Sequence, residues 1–441
     1  MAALGMLVLA CAATLPTPLQ PDALTNSGYP TEHDNFLCIP TIGKKQFGDR
    51  YPLPCRAPRD GWTGSIRDEF VIAAWWPPVL NVVHEYAAAG FNLMLTDNVV
   101  HGCQVNGTMP QPASADEALE CVFRALPLIG SLGLKAAFSL GFYNRSAGLA
   151  RLLGGEAAYG SVTAGLPGQF GPAPAEVAYV VTELKARNLT RHVAGYFLQD
   201  DLTQANSPVA EAAAWLREHA PSILPMVNGG AETLYTADLP IDSPEDYAID
   251  GDAGTDVGAA SLAQLSLFAR NAYMAERYGL DAWPLFQIQR ADNPPGDAFA
   301  YAFSDSLLRL QVFGAIAFGS RGLYYYCWGI GLWNFTQPGH DQFDPVHRGA
   351  PTANYYVAKE INVDAKRWGT TLLPARHIGV IRAAATAEEV GPFSFAQLAG
   401  PELPVVSLEP KLLVGVFEQL EGGRGGGWGA ARHGGGGGGG G

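Results

Sequence analysis

The sequence predicts an α/β fold of the (β/α)8 TIM-barrel kind, followed by an incomplete C-terminal β domain. Three observations predict it. Short apolar runs of strand type alternate with longer helical stretches between residues 70 and 370, the pattern of βα units around a parallel sheet. Eight such units fit in that span, which is enough chain for a closed barrel of about 250 residues or more. No Gly-rich phosphate loop follows the first strand, which weakens a doubly wound open sheet.

The strands are expected at Phe70–Trp76, Phe91–Thr96, Leu134–Leu140, His192–Leu198, Ile223–Asn228, Tyr247–Asp250, Trp283–Gln289 and Gly322–Trp328. Tyr247–Asp250 is the weakest of these because it is short and barely apolar. Helical patterns separate them: one from near Pro78, then Ala115–Leu132, Ala173–Arg187, Val209–His219, Ala259–Tyr278 and Asp305–Gly319, with Ala353–Arg367 as a closing helix. Beyond Leu373 the character changes. His377–Arg382 and Leu412–Phe417 read as strands, and two strands alone are not independently stable, so this β domain reads as incomplete. The expected organisation is a signal peptide at 1–13, an irregular lead-in at 14–68, the barrel at 69–372, a partial β domain at 373–420 and a Gly-rich tail at 421–441.

Composition narrows the class. Hydrophobic residues make up 48% and charged residues 16%, which supports a large core and excludes a disordered chain. The net charge of −14 and the lack of a basic stripe argue against nucleic acid as a partner. Ala2–Ala13 carries no charge and has the length of a signal-peptide apolar segment, and no later stretch is long enough to span a membrane. Sequons at Asn106, Asn144, Asn188 and Asn334 agree with secretion. In an oxidising compartment Cys38–Cys55 and Cys103–Cys121 would each close a short loop, leaving Cys327 as a small apolar residue in a strand. Asp97 and His101 have an i, i+4 spacing but no further ligand, so neither metal nor cofactor is expected.

In a barrel of this kind the site lies at the carboxyl ends of the strands. The residues there are Trp75 and Trp76; Asp97 and Asn98; Tyr143; Gln199, Asp200 and Asp201; Asn228; Asp250 and Asp252; Gln287, Gln289 and Arg290; and Tyr326 and Trp328. Aromatic faces stack on pyranose rings, and amides and carboxylates bind hydroxyls, so the set suits an oligo- or polysaccharide. The sharpest feature is Tyr196-Phe-Leu-Gln-Asp-Asp201. Two adjacent carboxylates raise one another's pKa, as a general acid for a glycosidic oxygen requires. The competing role for Asp201 is a cap on the following helix.

Tyr196–Asp201 resembles the Tyr-x-Leu-x-Asp-Glu-Pro segment of glycoside hydrolase barrels related to the β-galactosidase and agarase superfamily. Leu308–Gly319 with Gly322–Tyr326 resembles their last helix and strand, and Asn354–Asn362 with Trp368–Leu373 resembles the segment leading to their β-sandwich. The resemblance implies hydrolysis of O-glycosidic bonds with Asp201 as acid. The chain departs from the pattern at Asp201 itself, where the family has Glu, and at Leu202, where it has Pro. Retaining members also need a Glu nucleophile on the seventh strand, where this chain has Gln287 and Gln289. Three readings follow: an inverting or atypical hydrolase with a base drawn from Asp250, Asp252 or Asp97; substrate-assisted hydrolysis with Asp200 orienting an acetamide; or a non-catalytic carbohydrate-binding barrel.

Overall fold

A computed structural model describes residues 62–75, 77–96, 99, 115–139, 174–202, 207–229, 239–246, 280–288, 304–329, 331–334, 349–382 and 413–419, and part of a helix within 260–272. The segment expected as a signal peptide, most of the lead-in and the Gly-rich tail lie outside these residues.

The body is α/β. Strands β1 (Val71–Ala74), β2 (Leu93–Leu95), β3 (Lys135–Phe138), β4 (Val193–Leu202) and β5 (Leu224–Gly229) are followed by four two- or three-residue pieces. These are β6 (Ile241–Asp242), β7 (Glu245–Asp246), β8 (Asp281–Ala282) and β9 (Leu285–Gln287), and β10 (Gly322–Tyr326) comes after them. Helices α1 (Val83–Ala88), α2 (Ala115–Ser131), α3 (Pro174–Ala186), α4 (Ser207–His219), α5 (Asp305–Ala317) and α6 (Ala353–Leu372) lie between and after the strands. One four-stranded sheet has the order β2-β3-β4-β5 and another the order β1-β10-β9-β7, every neighbouring pair parallel.

Proline explains the short pieces. Pro244 separates β6 from β7 and Pro284 separates β8 from β9, and neither has an N–H for the ladder. The path is continuous nonetheless. Asp281 N donates to Pro240 O and Leu285 N to Pro244 O, each at 2.9 Å. Between them the Ser243 hydroxyl donates to Trp283 O at 2.9 Å. Residues 241–246 and 281–287 therefore act as the sixth and seventh strands. The sixth was expected at Tyr247–Asp250, which lies outside the described residues, so the strand begins six residues earlier than the sequence suggested.

The edge between β1 and β2 is joined by one backbone bond and by two side chains. Asn92 N donates to Ile72 O at 3.0 Å, and Ile72 N returns a bond to Asn92 Oδ1 at 2.7 Å. Asn92 Nδ2 reaches Phe70 O at 3.0 Å. One step along, the Tyr86 hydroxyl of α1 accepts from Ala74 N at 2.9 Å and donates to Leu93 O at 2.8 Å. Tyr86 is fully buried, and burial holds its phenol well above the usual range, so it stays a neutral donor.

Strand alternation assigns the faces. Tyr325 points to the helices, its hydroxyl donating to Asn362 Oδ1 of α6 at 2.6 Å. Asn362 Nδ2 in turn holds Ala89 O at 2.9 Å, tying the end of α1 to the same helix. Tyr324 points the other way and reaches Met226 Sδ on β5 at 3.8 Å, so the two sheets face each other. At the amino ends Asp281 is buried between Arg67 Nε at 2.7 Å and Arg321 Nε at 3.1 Å.

Past α6, β13 (Ala375–Arg382) pairs antiparallel with β14 (Leu413–Gln419); a short antiparallel pair, β11 (Trp333–Asn334) with β12 (Ala350–Pro351), precedes α6. The later pair sits against the end of α5: a Cβ on Gly415 would fall 2.4 Å from Ala317 O, and one on Gly319 (φ +85°) 2.7 Å from His377 Cβ. Of the expected disulfide partners only Cys121 is described; it is buried, with its sulfur 3.5 Å from Val99 O. Cys327 is a buried thiol outside any disulfide, and it donates to Gly329 O. Among the described residues no helix is long and apolar enough to cross a membrane.

Two outcomes follow. Asn92→Ala leaves Ile72 N–H and Phe70 C=O unpaired in a buried edge, and should destabilise by about 1–3 kcal/mol for each group in urea unfolding. Burial also pushes the Cys327 thiol up, away from thiolate. Iodoacetamide should therefore label Cys327 only after unfolding, as read by peptide mass mapping.

Candidate active site

The carboxyl end of β4 is the most irregular part of the described sheets. Phe197 pairs with Met226, Gln199 with Val227 and Leu202 with Gly229, and the register shifts at both steps. Between the last two pairs, Asp200 and Asp201 stand opposite Asn228 alone. Two residues against one is a β-bulge, the device that re-aims a strand end beside functional sites. Both aspartates belong to β4, which the sequence reading ended at Leu198. Helix α4 begins only at Ser207, so Asp201 is too far from its first turn to cap it.

The opposite sheet brings three expected residues to one level. Tyr326 is in register with Gln287, and Tyr325 with Ala74, which puts Trp75 beside Tyr326. Trp75 N donates to Tyr325 O, and Ile288 N to Tyr326 O, each at 2.8 Å. Alternation turns Tyr326 and Gln287 to the same face as Tyr324, toward the other sheet. Trp75 bridges to that sheet: its indole meets the Phe197 ring edge-on at 4.9 Å. The Trp75 ring, Gln287 and Asn228 are largely buried, and Tyr326 is partly exposed. Gln287 is held from behind, its carbonyl accepting from Gln311 Nε2 at 3.1 Å.

Trp328 corrects an expectation. It was read as a face for sugar, but it has no exposed surface. Trp333 stacks on it at 5.4 Å, and Tyr86, Phe91 and Tyr355 close around it at 5.0, 6.0 and 5.9 Å. Its indole serves the layer between strands and helices. Trp76, Asp97, Asn98, His101, Tyr143, Asp250, Asp252, Gln289 and Arg290 lie outside the described residues. Among the described residues no three His, Cys, Asp or Glu side chains gather as ligands for a metal.

One carboxylate was missed. Glu245 on the sixth strand accepts a hydrogen bond from Asn228 Nδ2 at 2.7 Å and is exposed. It is in register with Leu285, and Leu285 with Tyr324, so it belongs to the face turned between the sheets. The sequence hid it because Pro240 and Pro244 read as loop punctuation on either side of Ile241–Asp242.

No protein-family model matches the chain, and no curated protein matches it. Solved structures resemble it at low identity. A glycoside hydrolase family 5 mannosidase from Rhizomucor miehei is 14% identical over 66% of this chain and 88% of that one, with a TM-score of 0.44. An exo-β-1,4-mannosidase from Opitutaceae bacterium strain TAV5 is 15% identical over 71% of this chain, with a TM-score of 0.44; the match spans 63% of that chain, under two thirds of its length. An endo-β-1,4-mannanase from Thermotoga petrophila is 10% identical over 68% of this chain and 77% of that one, with a TM-score of 0.41.

The Asn228–Glu245 contact yields a pH test. Asn228→Asp sets a second carboxylate beside the first, which raises the pKa of the pair in the folded state. A raised carboxylate pKa means that the folded chain binds more protons than the unfolded one, so the variant's stability should fall as pH rises above about 4. The fall should be steeper than in the parent, and urea midpoints across pH compare the two.

Proposed function

We propose that this chain is a secreted glycoside hydrolase-like protein that acts on O-glycosidic bonds of an oligo- or polysaccharide, with Asp201 as general acid. The observation that carries the reading is the β4 bulge, which sets Asp200 and Asp201 opposite Asn228 at the carboxyl end of parallel strands. Trp75, Gln287 and Tyr326 line the level across from it. In this reading Asp200 either raises the pKa of its neighbour or binds substrate. Within this reading the two sheets are one closed eight-stranded barrel. The strand order and the Asn92 and Tyr86 bonds at one junction support that, as does the Asn228–Glu245 bond at the other. The signal peptide, the sequon glycans, the pairs Cys38–Cys55 and Cys103–Cys121, and a β domain built on β13 and β14 belong to the same proposal.

A second reading is favoured by one position. Gln287 ends the seventh strand, where a retaining enzyme needs an ionised Glu, and an amide cannot be that nucleophile. A barrel that binds sugar without turning it over is the result if no other carboxylate serves.

The deciding experiment is an assay of the full chain on aryl glycosides and on natural oligosaccharides, with Asp201→Asn as the variant. Loss of the acid should cost about 10²–10⁴-fold on a natural glycoside and much less on one with an activated leaving group, which departs without protonation. Equal small losses on both would reject the acid role. Sugar binding without turnover in the parent would establish the binding barrel.

A further inference from the structure

Accepting the carbohydrate reading of this site, we infer that Gln311 and Asn354 are positioning residues: they fix the end of the seventh strand so that the Gln287 amide meets a sugar hydroxyl. The inference rests on how that strand end is held. Among the described residues β7 ends at Asp246, opposite Phe286, one residue short of Gln287. On the other edge Trp328 N donates to Trp75 O at 2.9 Å rather than continuing along the seventh strand. Two helices take the last two carbonyls instead. Gln311 Nε2 of α5 donates to Gln287 O at 3.1 Å. Asn354 Nδ2 of α6 donates to Ile288 O at 3.1 Å and to Gly331 O at 3.4 Å. Gln311 and Asn354 are 0% and 3% exposed, and an amide at such a place is tolerated only where it bonds.

What this grip presents is the Gln287 side chain. Gln287 is in register with Tyr326, and Tyr324, two residues back, crosses to Met226. Alternation therefore turns Gln287 between the sheets, away from the helix that holds its carbonyl. The residue is 3% exposed, yet among the described residues its side-chain amide has no hydrogen-bond partner. A buried amide left in that state costs stability. A ligand rich in hydroxyls removes the cost, because the amide oxygen accepts from one hydroxyl and the amide N–H donates to another. Trp75 and Tyr326 stand at the same level. Hydrogen bonds weaken steeply with misalignment, so a strand end held at two consecutive carbonyls keeps the amide in place before the sugar arrives.

The experiment measures Kd by isothermal titration of the full chain with a panel of para-nitrophenyl thioglycosides, whose sulfur linkage resists hydrolysis. The thioglycoside that the parent binds most tightly is carried to the variants. Gln287→Met keeps the length of the side chain and removes the amide. It should weaken binding about tenfold, while the urea midpoint stays at or above that of the parent, because an apolar group replaces a polar one without a partner. Gln311→Met and Asn354→Leu should each weaken binding of the same thioglycoside about threefold or more, and each loss should vanish when Gln287→Met is already present, as coupled residues require. A merely structural role would give the same loss in both backgrounds. Gln287→Met changes neither helix, so its readout stands even if a helix variant fails to fold. Parental affinity in Gln287→Met would overturn the inference and leave the carbohydrate reading standing, and so would additive losses in the double variants. A parent that binds neither a thioglycoside of the panel nor a natural oligosaccharide would overturn both.

Discussion

The architecture depends on how β1 meets β2. One backbone bond, from Asn92 N to Ile72 O, crosses there, and two side chains carry the rest of the junction. Asn92 offers one amide to Ile72 N and Phe70 O, as a backbone unit of a neighbouring strand would. Tyr86 inserts a single hydroxyl between Ala74 N and Leu93 O. These groups satisfy buried backbone polar atoms that would otherwise cost as much as broken hydrogen bonds. Because β1 continues into Trp75 and β2 into Thr96, the junction also fixes the height at which two strand ends present their residues.

The helical layer is tied to that junction. Phe91 stacks on Tyr86 at 4.3 Å and lies edge-on to Tyr325 at 5.5 Å. Asn362 then gathers Tyr325 and Ala89 onto α6. Asn354 of the same helix reaches Ile288 O at 3.1 Å, just beyond Gln287. The segment that resembled a family's approach to its β-sandwich is, in this chain, a buried clamp on two strands and the end of α1. Its asparagines satisfy backbone carbonyls where apolar residues could not.

Legibility in the sequence followed hydrophobicity. Val71–Ala74, Leu93–Leu95, Lys135–Phe138 and Gly322–Tyr326 lie inside apolar runs that stand out against polar surroundings, and the parallel order follows from the helices between them. The start of the sixth strand, at 241–246, was missed because it is short, polar and punctuated by proline. The end of β4 was cut at Leu198 because Gln199-Asp200-Asp201 has no apolar period, though the strand continues through it. Side-chain direction was the other gap. Tyr324, Tyr325, Tyr326 and Trp328 look equivalent as a run of aromatics, yet alternation sends Tyr325 to the helices, and Trp328 lies past the end of the strand. Residue type suggested carbohydrate chemistry at these positions; which of them could reach a ligand depended on facing, and a one-residue change of phase reverses it.

The paired arginines on Asp281 have a consequence for the chain as a material. They bind the lead-in at Arg67, the seventh strand at Asp281 and the turn into the eighth at Arg321, all at the amino ends of the strands. The bulge and the polar strand ends are at the other pole. Rigidity and chemical variability are thus separated along the strand axis, so the carboxyl-end loops are free to be lengthened, shortened or rewritten for another ligand without disturbing the foundation beneath them.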